Sequence, residues 1–433
     1  MKNAEIETER GIPFRKTFFN LSVFQFLTFL RRGVFYTFMI YYLFKLMNTV
    51  TSTAALGTLN MIASSLGQNL LWGKICDKYK IRAKLIVAGE TIAAFTYVMV
   101  FLVHKSLINS GDRFAAGLAI IFGLSILEFF WSMSDVGWAA LLTDITTPQV
   151  RGRVVGALNF IASLGRMAGI LYSGFLYLGG AGFENGTIFY IVTVLLLLGA
   201  ALMAFTSRRI RATRTKPEQV VTSETEAKGD ETDNRTEKTY KWFLASLVII
   251  VLGVASISQI FLLFLQLPQG VNFTDTEVTL VTSAWTVGGM IASLAAGRLS
   301  DRFGRSKVLI LGLSLAIVTP IFYLYASTVP LMAFIYGLNG ISFWTIQTVG
   351  FVLAGDLIPK HRRGRLLSRY NTVIALSWGP AGILIGGPFA DLQVQRLGLS
   401  SYASYVNTFY ASSIIVAIGL VLFAIKVARP KHD

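Results

Sequence analysis

The chain is short of the residues on which most soluble chemistry depends. It has one cysteine, Cys76, in 433 residues, which excludes an intramolecular disulfide and a cysteine-based metal site. Its three histidines, His104, His361 and His432, fall near the ends of apolar segments or in the tail. No metal cluster, nucleophile–histidine arrangement or phosphate loop stands out, so neither an enzyme nor a cofactor is expected. Charge is also scarce. Asp, Glu, Lys and Arg make up 14%, against roughly 25% in an ordinary soluble domain. With 54% hydrophobic residues, that scarcity excludes a disordered or water-soluble chain of this length. Residues 1–16 lack the short apolar core and cleavage site of a signal peptide, so none is expected.

What is abundant is apolar length. A helix rises about 1.5 Å per residue, and the hydrocarbon core is about 30 Å thick. Stretches long enough to cross it run at about 17–44, 53–75, 84–104, 114–143, 154–178, 187–207, 242–266, 277–299, 306–327, 329–355, 366–389 and 404–427. The expected fold is an all-α polytopic membrane protein. Twelve transmembrane helices would form two pseudo-symmetric six-helix bundles, 17–207 and 242–427. A polar stretch rich in Glu, Thr, Lys, Arg and Asp at 208–241 reads as a disordered or loosely structured linker. Residues 1–16 and 428–433 are expected as tails.

The net charge of +16 would suggest nucleic acid in a soluble protein. Here the basic residues sit between apolar runs, and nucleic acid is not expected as a partner. Of 39 Lys and Arg, 32 fall on the side that holds both tails and the linker, four on the other, and three inside spans. By the positive-inside rule the termini and linker are cytoplasmic. Short external loops favour a prokaryotic plasma (inner) membrane, and a monomer is expected.

The halves repeat. Gly73-Lys-Ile-Cys-Asp77-Lys78 follows span two, and Gly297-Arg-Leu-Ser-Asp301-Arg302-Phe-Gly304-Arg305 follows span eight. Asp144, Arg151, Gly152, Arg153 and Asn159 recur 212 positions later as Asp356, Arg363, Gly364, Arg365 and Asn371. Such matches in equivalent loops indicate an internal duplication, as in secondary transporters with a midplane site.

Gly297–Arg305 resembles the cytoplasmic-loop motif of the major facilitator superfamily, and the Arg-Gly-Arg loops are similar to that superfamily too. The first copy departs from it, with Lys80 and Ile81 where Gly and Arg are usual. The resemblance implies a twelve-span transporter working by alternating access. It further implies that Asp77 meets the start of span eleven and Asp301 the start of span five, holding the cytoplasmic side shut. Arg302 and Arg305 would anchor the turn. On residue chemistry alone, Gly297 allows close backbone approach and Asp301 suits a helix N-terminus. Turn formation and topology signalling are the alternative reading, but they need no fixed Asp or Gly.

Ionisable groups inside a span cost on the order of 3 kcal/mol each, and six lie in the first half. They are Arg31, Arg32, Glu90, Glu128, Asp135 and Arg166. Glu128 and Asp135 share a helical face with Ser125 and Ser132, and Arg32 shares one with Gln25, Thr28 and Tyr36. Glu128 and Asp135 are the proton-coupling candidates. Glu128 is expected to pair with Arg166 or Arg32, either as a switch or as a fixed pair. Glu90, near the cytoplasmic end of span three, is expected to pair with a loop arginine. Arg31 falls among aromatic residues, and its partner is a lipid headgroup or a group on another span.

The second half offers neutral candidates for substrate contact: Gln259, Tyr336, Asn339, Phe343, Gln347, Asn371 and Trp378. At the repeat offset Gln347 matches Asp135 and Trp378 matches Arg166. Ordinary interhelical hydrogen bonding accounts for some of these equally well. Gly156, Gly165 and Gly169 keep the glycine spacing of the superfamily's antiporter motif, although Ile170 replaces its proline. Close helix packing explains the same glycines.

The reading is proton-coupled efflux of amphipathic organic compounds. Its partners are a small organic substrate, protons and membrane lipids, and the proton gradient is its energy source. A symporter for a sugar or organic anion and a lipid-handling relative are the alternatives. Orientation is directly testable. Alkaline phosphatase fused to the C-terminus should stay inactive in cells, and an active fusion would reverse the assignment.

Overall fold

In a computed structural model the described residues are 14–146, 148–212, 231–358 and 363–428, and among them there is no β-strand. The helices of the first half are α1 Phe14–Tyr36, α2 Met39–Met47, α3 Val50–Leu66, α4 Gly73–Tyr79, α5 Arg82–Asn109, α6 Arg113–Ile145, α7 Pro148–Tyr177, α8 Ala181–Glu184 and α9 Thr187–Ala212. Those of the second are α10 Glu231–Ser256, α11 Ser258–Leu265, α12 Asp275–Phe303, α13 Arg305–Phe322, α14 Val329–Asp356, α15 Arg363–Trp378, α16 Gly387–Gln395 and α17 Ser401–Phe423.

Ten helices among the described residues are long and apolar enough to cross a membrane. They correspond to expected spans three to twelve. Expected spans one and two are helical but interrupted. Span one carries Arg31 and Arg32 and breaks at residues 37–38, between α1 and α2. Span two runs through α3, a π-helical turn at Gly67–Trp72, and α4. Helices α9 and α10 extend into the polar stretch as far as Ala212 and from Glu231. Residues 213–230 and the terminal segments 1–13 and 429–433 lie outside the described residues.

Helix starts follow local chemistry. Thr274 and Glu277 form a reciprocal capping box at α12, Asp112 accepts from Ala115 N at α6, and Ser400 accepts from Ala403 N at α17. Each satisfies amides that the helix itself cannot.

The chain divides into two compact units. One comprises Met1–Met47 and Leu59–Val221, the other Asn48–Thr58 and Thr222–Asp433. In the first, α1 and α7 approach backbone to backbone. A Cβ at Gly165 would lie 2.4 Å from Phe26 O, and one at Gly169 would lie 2.2 Å from Leu30 O. Both glycines of the antiporter-like spacing therefore serve helix packing here. Gly156 meets nothing within 4 Å. Farther along α5, His104 is fully buried. Its Nδ1 lies 3.2 Å from Ala116 O and its Nε2 2.8 Å from the Tyr42 hydroxyl. A carbonyl can only accept, so Nδ1 carries the proton and Nε2 accepts from Tyr42.

The second unit is built around Leu247, Ile250, Leu313, Val349, Val416 and Phe423, all buried. It also holds the first turns of span two. Asp391 of α16 accepts from Val50 N at 3.0 Å and Thr51 N at 2.8 Å. Span two is thus capped by a carboxylate 341 positions away. Below the cap, Gly387 leaves room for Thr51, whose Cα would lie 2.6 Å from a Cβ there. Thr58 Oγ1 then donates to Gly379 O at 2.8 Å. Carboxylates at helix N-termini contribute about 0.5–2 kcal/mol. Asp391→Ala should lower the melting temperature of the purified protein, and Asp391→Asn, which keeps one acceptor, should lower it less. Equal melting in all three proteins would show that the cap contributes nothing.

Candidate functional site

The ionisable residues of the first half gather where α1, α5 and α6 meet. Arg31 and Arg32 are consecutive on α1, so their side chains diverge by about 100°. Arg32 is half-buried, while Arg31 is completely enclosed. Both guanidinium carbons lie over the ring of Trp131 on α6, at 4.3 Å for Arg32 and 4.9 Å for Arg31. This is cation–π geometry.

Around that indole the acids take separate positions. Tyr36, one turn beyond Arg32, donates from its hydroxyl to Glu128 Oε1 at 3.0 Å. Glu128 is buried, and this tyrosine is its partner rather than Arg166 or Arg32. The ion pair expected from the sequence is replaced by a neutral hydrogen bond. Glu128 and Tyr36 face each other across α1 and α6, whereas Arg32 turns to Trp131. Asp135, two turns along α6 from Glu128, is half-buried and accepts from Gln68 Nε2 at 3.5 Å. Arg166 is half-buried on α7, and its backbone carbonyl is the atom that a Cβ at Gly33 would strike.

One placement corrects an expectation from the sequence, and another selects between two alternatives. Glu90 pairs with no loop arginine. It is 1% exposed and its Oε1 accepts from Trp131 Nε1 at 2.9 Å and Ser134 Oγ at 2.6 Å. Counting residues from the span end gives depth but not azimuth, and the face of α5 that carries Glu90 turns towards α6. Arg31 finds its partner on another span, donating from Nη1 to Tyr97 Oη at 2.9 Å. Trp131, Ser134 and Tyr97 were not singled out from the sequence. The seven-residue spacing of Glu90 and Tyr97, which places them on one face of α5, is a signal that could have found Tyr97.

The second-unit candidates divide by role. Phe343 lies among Trp285, Trp344 and Trp378, with centroid separations of 5.2, 5.6 and 5.0 Å. Tyr336 stacks on Phe261 at 4.1 Å. Asn339 donates to Thr319 Oγ1 at 3.1 Å, a helix-to-helix bond. Gln259 presents its amide to the glycines of the α3 seam, with Nε2 at 3.3 Å from a Cβ at Gly57. Gln347 is half-buried and Asn371 is exposed.

In the loops, Asp77, Lys78, Asp301, Arg302 and Gly304 are exposed. A Cβ at Gly73 would lie 2.8 Å from Gln68 O, but one at Gly297 would meet no described atom within 4 Å. The close approach expected at Gly297 is therefore absent among the described residues. The side chains of Arg151, Arg153, Arg363 and Arg365 lie outside the described residues. Instead, a repeated ion pair ties each loop down: Arg305 to Asp356 in the second unit and Arg82 to Asp144 in the first. Asp144 and Asp356 are the repeat-related acids, which the sequence reading left without partners. The departure in the first copy is compensated locally. Lys80 takes a positive φ (51°) where Gly304 has φ 93°, and the arginine arrives one residue later, at Arg82.

The profile of the Major Facilitator Superfamily matches residues 21–272 and 244–433. The chain belongs to that family and is a multi-pass membrane protein. It is 26% identical over 136 residues to "Multidrug resistance protein MdtL" of Escherichia coli O157:H7, covering 31% of this chain and 35% of that one. The chain thus spans about a third of the length of this curated relative. Among solved structures it resembles a bacterial homolog of the human lysosomal transporter Spinster, with TM-score 0.68, 13% identity and coverage of 96% and 97%. It also resembles a bacterial homologue of the iron transporter ferroportin, with TM-score 0.68, 16% identity and coverage of 96% and 99%.

Half-exposed ion pairs contribute up to about 1 kcal/mol. A double-mutant cycle on Arg82→Gln and Asp144→Asn should give a coupling of about 0.5–1 kcal/mol in unfolding free energy. Strictly additive effects would remove the pair from the account.

Proposed function

We propose that the protein is a secondary active transporter that works by alternating access and exports amphipathic organic compounds in exchange for protons. The observation that carries this reading is Glu128. It is a buried carboxylate whose partner is the neutral hydroxyl of Tyr36. A carboxylate in that setting is not consumed by a permanent ion pair. It is free to hold either a proton or a cationic group, and competition between the two is what couples efflux to a proton gradient.

Within the second unit, taken by itself, the Phe343–Trp378 group offers the aromatic surface that an amphiphile needs. The match to a multidrug resistance protein points the same way. On this reading protons and lipids are the other partners, the proton gradient supplies the energy, and no cofactor takes part. The monomer would sit in the plasma membrane with cytoplasmic termini. The second reading, uptake of an organic anion or sugar, is favoured by half-buried Arg32 and Arg166, which could clamp a carboxylate.

A ligand that binds only the folded state raises apparent stability by RT ln(1 + [L]/Kd). Thermal-shift screening of the purified protein should show stabilisation by lipophilic cations, and Glu128→Gln should reduce it at least tenfold in ligand concentration. Stabilisation by sugars or organic anions instead, lost in Arg32→Ala or Arg166→Ala and kept in Glu128→Gln, would establish the second reading.

A further inference from the structure

Behind the half-buried layer of Arg32, Tyr36 and Asp135 lies a fully enclosed one. Arg31, Tyr97, Glu90 and Trp131 are each at most 2% exposed. Arg31 spends one nitrogen on Tyr97. Its Nε and Nη2 are buried and have no hydrogen-bond partner. Those two nitrogens form one edge of the guanidinium, with two parallel N–H bonds. That edge matches the two oxygens of a carboxylate. Leaving both donors unmet inside a protein costs more than a typical hydrogen bond returns, so the arrangement belongs to one state of a pair.

Glu90 has the complementary deficit. It is an enclosed acid with no ion-pair partner among the described residues, and its Oε1 accepts from two neutral donors, Trp131 and Ser134. An ionised carboxylate so placed would be expensive, whereas a carboxylic acid is not. The two residues share Trp131, since Arg31 lies over its ring and Glu90 takes its N–H. Two other groups face Glu90 electrostatically, Asp135 from α6 and Arg31 from α1. Glu128 and Tyr36 act on Arg31 from farther round. Tyr97 lies on Glu90's own helix, and a Cβ at Gly199 of α9 would lie 3.9 Å from its Oε2.

We propose that Glu90 is a second proton-binding site of the transporter, and that the unused edge of Arg31 receives its carboxylate when the proton leaves. The O–H bond of the Glu90 carboxyl breaks, the proton passes to water, and the carboxylate takes Arg31 Nε–H and Nη2–H. Loss of the proton thereby adds a second α5–α1 link to the Arg31–Tyr97 bond, and its return removes that link. Arg31 acts as a positioning residue that sets how readily Glu90 ionises. The proposal deepens the proton-coupled reading above and rests on it.

The test needs no substrate. Infrared spectra of the purified full chain, recorded over a pH titration, report each protonated carboxyl through its C=O stretch. Glu90→Gln should remove one titrating band that Glu128→Gln leaves in place. Arg31→Met should keep that band protonated to a pH higher by about tenfold in proton concentration. If Glu90→Gln does not fold, Glu90→Asp must displace the band. A spectrum identical to wild type in the Glu90 variant, or a band indifferent to Arg31→Met, overturns the proposal. If the Glu90 band titrates as described but substrate flux in wild-type proteoliposomes ignores the pH gradient, the coupling reading fails and the proton site stands.

Discussion

A guanidinium keeps its proton inside a protein, so an enclosed arginine dictates what surrounds it. Arg31 is such a residue, and the first unit is arranged around it. Phe35, one turn on, packs edge-on against Tyr97 at 4.7 Å. Tyr97 takes one N–H of Arg31, and Trp131 supplies a π face. Trp131 then fixes Glu90 through its N–H and carries Arg32 over its ring. One aromatic side chain thus links both arginines to the most deeply enclosed acid. The glycine contacts between α1 and α7, at Gly165 and Gly169, bring the helix that carries the arginines against its neighbour at backbone distance. Packing and electrostatics are in this sense one arrangement: the close helix approach shuts out water, and exclusion of water gives the polar contacts their weight.

A second theme is that duplication preserved function at the level of interactions rather than residues. The second loop has glycine at its left-handed turn and arginine directly after it. The first has Lys80, also at positive φ, with Arg82 delayed by one position. Both arginines nevertheless reach the acid that ends the fourth helix of their repeat, Asp144 or Asp356. A strained lysine turn is tolerable at about 1 kcal/mol, provided that the ion pair still forms.

Much of the fold was legible in the sequence because hydrocarbon thickness is a severe constraint. Ten spans follow from apolar length alone, and the two that look irregular, one and two, are those with arginines or small polar residues. The candidate site was legible as a set of residues but not as a set of partners. Apolar length assigns Glu128, Tyr36 and Arg32 to their helices, yet the Glu128–Tyr36 bond joins residues 92 positions apart. Helical periodicity says which residues share a face, not which face meets which. The same gap hid Asp391, whose amide partners on Val50 and Thr51 leave no trace in local pattern. It also hid Glu90, where depth along a span suggested a loop partner and azimuth decided otherwise. Asn339 shows the converse. A polar residue available for a ligand instead binds Thr319 on the preceding helix.

In the proposed function, proton movement through the first-unit carboxylates drives export. The most direct measurement is accumulation of a lipophilic cation in proteoliposomes whose lumen is acidic, with the protein inserted so that its cytoplasmic side faces outward. Accumulation should require the pH gradient and collapse when nigericin dissipates it. Accumulation of equal size with and without the gradient, for cations that stabilise the protein, would contradict the proposed function.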